Sequence, residues 1–153
     1  YDTNLKVAPP IRTEEDRTAL ISGIKEGTID CIATDHAPHR LEEKETTFDI
    51  ASCGMIGLES CFGAVNKVLC IENNMKIEKV IDSLTVKPRK IMGFNRDLFS
   101  LEAEAEIIVL DDRKEWEFSL KDIKSKSVNS PFIGELLTGK ILHTISKNVL
   151  AII

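Results

Sequence analysis

The sequence predicts an α/β fold followed by a smaller β-rich region. A helical pattern that ends near residue 26 is followed at once by a short, β-branched apolar run, residues 29–34. Such a run is typical of a strand covered on both faces, as in a parallel sheet, and a helix joined to it by a short link forms an α/β unit. From about residue 100 the segments become strand-like. We therefore predict two regions, residues 1–97 and 98–153.

Length, charge and composition limit the class of protein. The 153 residues suffice for one domain of ordinary size, and a hydrophobic content of 42% allows a packed core. The net charge of −5 argues against a nucleic-acid or membrane partner, since both bind basic surfaces. None of the four cysteines shows the C-x-x-C spacing of a zinc knuckle. We expect them to be reduced, in a cytoplasmic protein.

The first elements have local signals. Residues 4–8 could form a short strand that ends at the following prolines, because proline lacks a ladder donor. Thr13 is a candidate helix N-cap with acidic residues in the first turn. Asp16 stands where a capping box would have glutamate or glutamine, and Gly27 is placed to end the helix.

The remaining elements are predicted from periodicity and turn residues. Residues 35–57 form a long loop, and loops of that length in compact domains are usually functional or mobile. Helices are predicted at 58–71, at 77–84 and from Pro88 to Met92, and strands within 104–111, 115–119 and 139–153.

The segment "IDCIATDHAPH" carries the candidate chemistry. Asp35 is the first residue after the predicted strand, where reactive side chains of parallel α/β folds gather. Its carboxylate could ligate a divalent metal or take a proton from metal-bound water, and His36 and His39 follow closely. The alternative is a turn, with the aspartate capping backbone donors and a histidine half-buried. Glu59 has a similar alternative as an acid in the first turn of a helix.

Several segments together match one family. They are "APPIRTEEDR", "GTIDCIATDHAPH", "GMIGLES", "KPRKIMGF", "AEAEIIVLD" and "SPFIGELLTGKIL", and they span nearly the whole chain. This series resembles the C-terminal portion of dihydroorotase, of the bacterial type in the amidohydrolase superfamily. Allantoinases and hydantoinases are near relatives with similar aspartates at strand ends. The resemblance implies the last part of a TIM-like (β/α)8 metal-dependent hydrolase barrel, with a small β-rich composite domain.

The resemblance also implies a reaction and roles for particular residues. Dihydroorotase reversibly hydrolyses the cyclic amide of dihydroorotate to N-carbamoyl-L-aspartate in pyrimidine synthesis, with one or two zinc ions. Asp35 would ligate zinc, act as general base on the bridging hydroxide and then protonate the leaving amide nitrogen. His39 would hold the substrate carboxylate, and the backbone at Cys53 and Gly54 would contact the ring. His36 has no assigned role.

Two departures from the family pattern stand out. Ala8 replaces a substrate-binding asparagine, and losing a hydrogen bond to a charged substrate costs about 1.5–3 kcal/mol. The family's other zinc ligands lie earlier in the barrel, whereas this chain has only His36, His39 and His143. A whole barrel takes roughly 200 residues or more. We therefore expect a fragment that retains no zinc and is inactive alone.

Partners and alternatives follow from the same resemblance. We expect a small-molecule substrate and a homo-oligomer, because bare strand edges associate, and the resemblance also implies an association with aspartate transcarbamoylase. The alternatives are an allantoinase or hydantoinase type of cyclic amidohydrolase, and a non-catalytic dihydroorotase-like scaffold. The substitution at Ala8 is the feature that favours a scaffold.

Overall fold

The computed structural model describes residues 1–147 and 149–152, with helices first and a three-stranded antiparallel sheet last. The helices are Glu14–Glu26 (α1), Leu41–Lys44 (α2), Cys61–Asn66 (α3), Ile77–Leu84 (α4) and Val86–Ile91 (α5). The strands are Ile107–Glu117 (β1), Leu136–Ser146 (β2) and Val149–Ile152 (β3), and 3-10 turns occupy Thr3–Leu5 and Leu120–Asp122. Within the described residues, no helix is long and apolar enough to cross a membrane.

Helix α1 begins and ends where its local signals predict. The Thr13 hydroxyl accepts from the Asp16 N–H at 3.3 Å, and the Asp16 carboxylate accepts from the Thr13 N–H at 3.2 Å. Aspartate thus completes the capping box. Gly27 ends the helix in the left-handed conformation, with φ of 89°.

Two predicted strands are wrong. Residues 4–8 do not pair: the chain there begins with the 3-10 turn Thr3–Leu5, whose Asn4 N–H donates to the Asp2 carboxylate at 2.8 Å. Residues 29–34 pair with no strand among the described residues, although the Ile32 N–H donates to the Ser83 carbonyl at 3.0 Å. A strand is defined by a neighbouring strand, and the described part of the chain offers none on either side of this run.

The helices of the middle region differ from prediction mainly at their ends. The predicted helix 58–71 begins at Cys61 and continues from Lys67 to Glu72 as a π-helical turn. The helix at 77–84 is confirmed. Helix α5 begins at Val86, two residues before Pro88, because proline is tolerated within the first turn of a helix.

The β-rich region forms one meander, with strand order β1-β2-β3. The predicted strands 104–111 and 115–119 are a single strand, β1, whose register with β2 shifts between Asp111 and Glu115. Asn66 on α3 spans this irregularity, donating at 2.8 Å to the carbonyls of both Asp112 and Thr138. A helix side chain thereby satisfies groups that the ladder leaves unpaired.

Apolar contacts join the helices to each other and to the sheet. Leu69, Met75 and Val80 form a buried cluster against which Ile24 and Ile32 pack. Helix α1 itself has no buried residue, and the side chain of its Leu20 is 56% exposed. These helices and the sheet they carry position the loops described next.

Candidate active site

Asp35 lines a cavity of about 270 Å³ that also contains Ala8, Cys53 and Gly54. The structure thus brings together four of the five residues predicted to form the site. Asp35 adopts a positive φ of 45°, a conformation that aspartate tolerates better than most residues, and it is exposed. Among the described residues its carboxylate makes no hydrogen bond or ion pair, so it is free to meet a ligand.

The fifth predicted residue, His39, does not line this cavity. Its Nε2 lies 2.9 Å from the Cys53 carbonyl oxygen, and its Nδ1 lies 3.5 Å from a carboxylate oxygen of Glu43. Because a carbonyl oxygen only accepts, Nε2 carries a proton. Both ring nitrogens therefore have protein partners, and the imidazole supports the Cys53 wall. Contact between His39 and a substrate carboxylate stays a prediction.

The wall at Cys53 and Gly54 is held from behind by a buried lysine. Lys44 is only 4% exposed, and its ammonium donates to the carbonyls of Ser52 at 2.8 Å and Gly54 at 2.9 Å. Burial lowers the pKa of this ammonium. Nothing local in the sequence distinguishes Lys44 from its neighbours in "LEEKE", so sequence reasoning missed it.

Gly54 is where the two loops of the site touch. Its φ is 134°, and a Cβ built there would lie 2.6 Å from the Ala37 Cβ and 2.9 Å from His39 Nε2. Only glycine accepts both the backbone conformation and the contact. The close approach joins the Asp35–His39 loop to the opposite wall.

Asn129 is a second residue that sequence reasoning missed. It is 5% exposed, and its Oδ1 accepts from the His39 N–H at 3.1 Å and the Ser127 hydroxyl at 2.7 Å. Its Nδ2 donates to the Ala37 carbonyl at 3.0 Å and the Gly54 carbonyl at 3.2 Å. The partners fix the orientation of the amide. The only available signal is its position next to "SPF" in a segment already matched to the family.

His36 belongs to a hydrogen-bonded chain behind Asp35. Its Nδ1 accepts from the Gly57 N–H at 3.1 Å, so Nε2 bears the proton and faces the Ser125 hydroxyl oxygen at 3.4 Å. Ser125 in turn donates to Glu59 at 2.6 Å. In a nucleophilic triad the serine would give its proton to histidine, whereas here it gives it to the carboxylate. The arrangement ties loops together and activates no nucleophile.

Glu59 anchors that chain to the β-rich region. It precedes α3 and does not lie in the first helical turn; its Oε1 accepts from the N–H groups of Lys124 at 3.1 Å and Ser125 at 2.7 Å. Its Oε2 is buried and has no partner among the described residues. Burial raises the pKa of this carboxyl, but the hydrogen bonds, led by that of the Ser125 hydroxyl, outweigh it and hold the pKa below its ordinary value.

The described residues do not fit a complete zinc site. They contain no group of three or more histidine, cysteine or acidic side chains able to hold a metal ion. A catalytic zinc takes three protein ligands. Both nitrogens of His36 and of His39 are engaged. At the cavity this leaves the Asp35 carboxylate and the exposed Cys53 thiol, which are too few for such a site. Any zinc bound with Asp35 needs further ligands from elsewhere.

No family model matches the chain, but curated relatives do. It is 44% identical over 141 residues to a dihydroorotase from Caldicellulosiruptor saccharolyticus, covering 92% of this chain and 33% of that protein. It is 42% identical over 144 residues to a dihydroorotase from Elusimicrobium minutum, covering 94% of this chain and 33% of that protein. The chain therefore spans about a third of the length of the curated relatives it matches.

Solved structures give the same extent of match. A D-hydantoinase (dihydropyrimidinase) from Thermus sp. superposes with a TM-score of 0.85 at 19% identity, over 98% of this chain and 34% of that one. An L-hydantoinase (dihydropyrimidinase) from Arthrobacter aurescens superposes with a TM-score of 0.80 at 24% identity, over 95% of this chain and 33% of that one. Likeness at this identity shows the fold alone, and it confirms the predicted portion of an amidohydrolase barrel with its small β-rich part. Over nearly its whole length the chain is therefore similar in sequence to about a third of curated dihydroorotases, and it shares the fold of part of the hydantoinases.

Proposed function

We propose that this chain supplies part of the active site of a dihydroorotase, which reversibly hydrolyses dihydroorotate to N-carbamoyl-L-aspartate in pyrimidine synthesis. The observation that carries the proposal is the cavity at Asp35. The Asp35 carboxylate, which forms no hydrogen bond or ion pair with any described residue, shares this cavity with Ala8, Cys53 and Gly54 in a chain 44% identical to a dihydroorotase. The chain spans only a third of that relative, so the activity belongs to a longer protein.

Asp35 is the proposed acid–base group. Its exposed carboxylate can take a proton from the attacking water. The same carboxyl can then return that proton to the leaving amide nitrogen, so the group is regenerated in each turnover. Because no hydrogen bond from the described residues holds the carboxylate, nothing there has to break before it acts.

The opposite wall offers backbone donors to the substrate ring. The N–H groups of Cys53 and Met55 donate to no acceptor among the described residues, and both residues line the cavity. The carbonyls of Ser52, Cys53 and Gly54 are meanwhile occupied by Lys44 and His39. We infer that the wall binds the ring oxygens through N–H groups. His39 would reach the substrate carboxylate only after leaving Cys53.

Cofactor, partners and location are proposed on the same basis. The longer enzyme would hold one or two zinc ions with Asp35 as the ligand from this chain, whereas the chain alone would hold none. Residues 29–34 are mostly apolar and pair with no strand within the described part, which supports association with further polypeptide, in a homo-oligomer or with aspartate transcarbamoylase. We propose a cytoplasmic protein and keep the boundary between residues 97 and 98 as a prediction.

A chimeric enzyme tests the proposal. Residues 1–153 would replace the matching third of the Caldicellulosiruptor saccharolyticus dihydroorotase, and turnover of dihydroorotate would be measured with zinc supplied. We expect activity, and a loss of roughly 100- to 10,000-fold in kcat for Asp35→Asn, the usual contribution of a general acid–base group. Asp97→Asn is the control, since Asp97 is also exposed, and it should leave kcat within about twofold.

The same assay separates the alternatives. Turnover of allantoin or a hydantoin with none of dihydroorotate would assign the chain to a sibling amidohydrolase. A folded chimera that turns over none of these substrates would contradict the enzyme proposal and favour a scaffold, to which the substitution at Ala8 already points.

A further inference from the structure

A buried side chain that no catalytic role requires bridges the two walls of the cavity. Asn129 lies far along the chain from both walls, yet all four of its hydrogen bonds end on or beside them. A buried amide with every donor and acceptor satisfied is costly to disturb, because each group left unpaired pays its full desolvation penalty. This residue therefore has the connections needed to hold the walls together.

We propose that Asn129 is a positioning residue that keeps the Asp35–His39 loop in register with the Cys53–Gly54 wall. Its Oδ1 holds the first loop at the His39 N–H, and its Nδ2 bridges the two walls by donating to the carbonyls of Ala37 and Gly54. Its own backbone carbonyl accepts from the Ile56 N–H at 3.0 Å, which fixes the amide relative to the second wall. The importance of this register for catalysis rests on the proposed function.

One backbone hydrogen bond reports the register without involving Asn129. The Ala37 N–H donates to the Met55 carbonyl at 2.9 Å and so crosses directly between the two walls. If Asn129 holds the walls, weakening its side chain should expose this amide to solvent. Hydrogen exchange at Ala37 therefore measures the proposed role directly, in the 153-residue chain and without any substrate or metal.

Asn129→Asp is the sharpest variant, because aspartate has the same shape. It keeps the acceptor toward His39 but loses both donors and places a negative charge against two carbonyl oxygens. We expect the Ala37 amide to exchange about tenfold to a hundredfold faster, as the loss of one or two hydrogen bonds of ordinary strength implies. The amide of His39 should keep its protection, since its acceptor remains.

Asn66→Asp is the matched control. Asn66 is also a buried asparagine whose Nδ2 donates to two carbonyls, but those belong to Asp112 and Thr138, away from the cavity. In Asn66→Asp, the fold-change in exchange rate at Ala37 should match the fold-change at the most protected core amides to within about twofold. Asn129→Asp should raise the rate at Ala37 well beyond that change in core protection.

The remaining outcomes are decisive in both directions. Equal exchange at Ala37 in the two variants, or no protection at Ala37 in the unmodified chain, would overturn the proposal. If Asn129→Asp fails to fold, Asn129→Ala replaces it; this variant removes both Nδ2 donors without adding a charge, and we expect about tenfold or more faster exchange at Ala37. An unchanged rate would again refute the role.

A kinetic readout in the chimeric enzyme separates this inference from the proposed function. There Asn129→Asp should raise KM for dihydroorotate more than it lowers kcat, because the wall is misplaced while Asp35 is intact. A chimera inactive with its native Asn129 would refute the function while leaving the exchange result to stand. Normal exchange at Ala37 in Asn129→Asp would refute the positioning role in an active enzyme.

Discussion

Replacing Gly54 by alanine should destabilise the chain more than the same change at another glycine of positive φ. At φ of 134°, alanine pays a backbone cost of about 1–3 kcal/mol. The new Cβ would also lie 2.6 Å from the Ala37 Cβ and 2.9 Å from His39 Nε2. Forcing an extra methyl into such a contact costs about 1–3 kcal/mol more. The sum is about 2–6 kcal/mol, a large part of the stability of an ordinary domain.

Gly27→Ala separates the two costs. Gly27 has φ of 89°, but a Cβ there would meet nothing within 4 Å. Its variant pays only the left-handed backbone penalty, about 1–2 kcal/mol. Urea unfolding of the two variants and the parent chain, followed by circular dichroism, gives the free energies of unfolding. If the two variants lost the same stability within about 0.5 kcal/mol, the proposed contact between the loops would be refuted.

Three further predictions concern charge, substrate and metal. The lowered pKa of Glu59 stabilises the folded state at pH values above the pKa of an unfolded glutamate, about 4.3, and this contribution disappears as the pH falls through the lower folded-state pKa. In urea unfolding, the free energy of unfolding of the parent chain should therefore exceed that of Glu59→Gln above about pH 4.3 and lose this excess at lower pH. Parallel curves of unfolding free energy against pH would contradict this. In the chimeric enzyme, Ala8→Asn should lower KM for dihydroorotate about tenfold or more by restoring a hydrogen bond to a charged substrate, whereas an unchanged KM would show that the cavity compensates otherwise. The purified 153-residue chain should contain no stoichiometric zinc by elemental analysis, since its described residues hold no group of three or more side chains able to bind a metal ion, and one ion per chain would show that the ligand count is wrong.

Helices whose capping residues or apolar spacing lie within their own sequence were predicted well. Helix α1 has its capping box and terminal glycine within its own sequence, and the helix Ile77–Leu84 has an apolar face of regular spacing. The strand predicted at residues 29–34 was wrong because strand formation depends on residues outside the run itself. Its apolar, β-branched composition predicts a strand, but pairing depends on neighbours that the described residues do not contain.

The candidate site shows the same division. Asp35, Cys53 and Gly54 were found through a family pattern, and the structure places them in one cavity. Lys44 and Asn129 act through hydrogen bonds that form only in the folded chain, to partners 8 and 10 residues away for Lys44 and 90 residues away between Asn129 and His39. No local pattern encodes such a bond, because its partners meet only after folding. Sequence motifs therefore identify the residues that line the cavity, whereas the residues that support them through hydrogen bonds are identified only in the folded structure.

The exposed thiol of Cys53 makes the cavity chemically addressable. Burial raises the pKa of the thiols of Cys61 and Cys70, which keeps them in the unreactive protonated form. A maleimide should accordingly modify Cys53 faster than either of these, and a compound seated beside Asp35 should slow that modification. The chain thus carries an intrinsic occupancy sensor, with which candidate ligands can be ranked before any turnover assay exists.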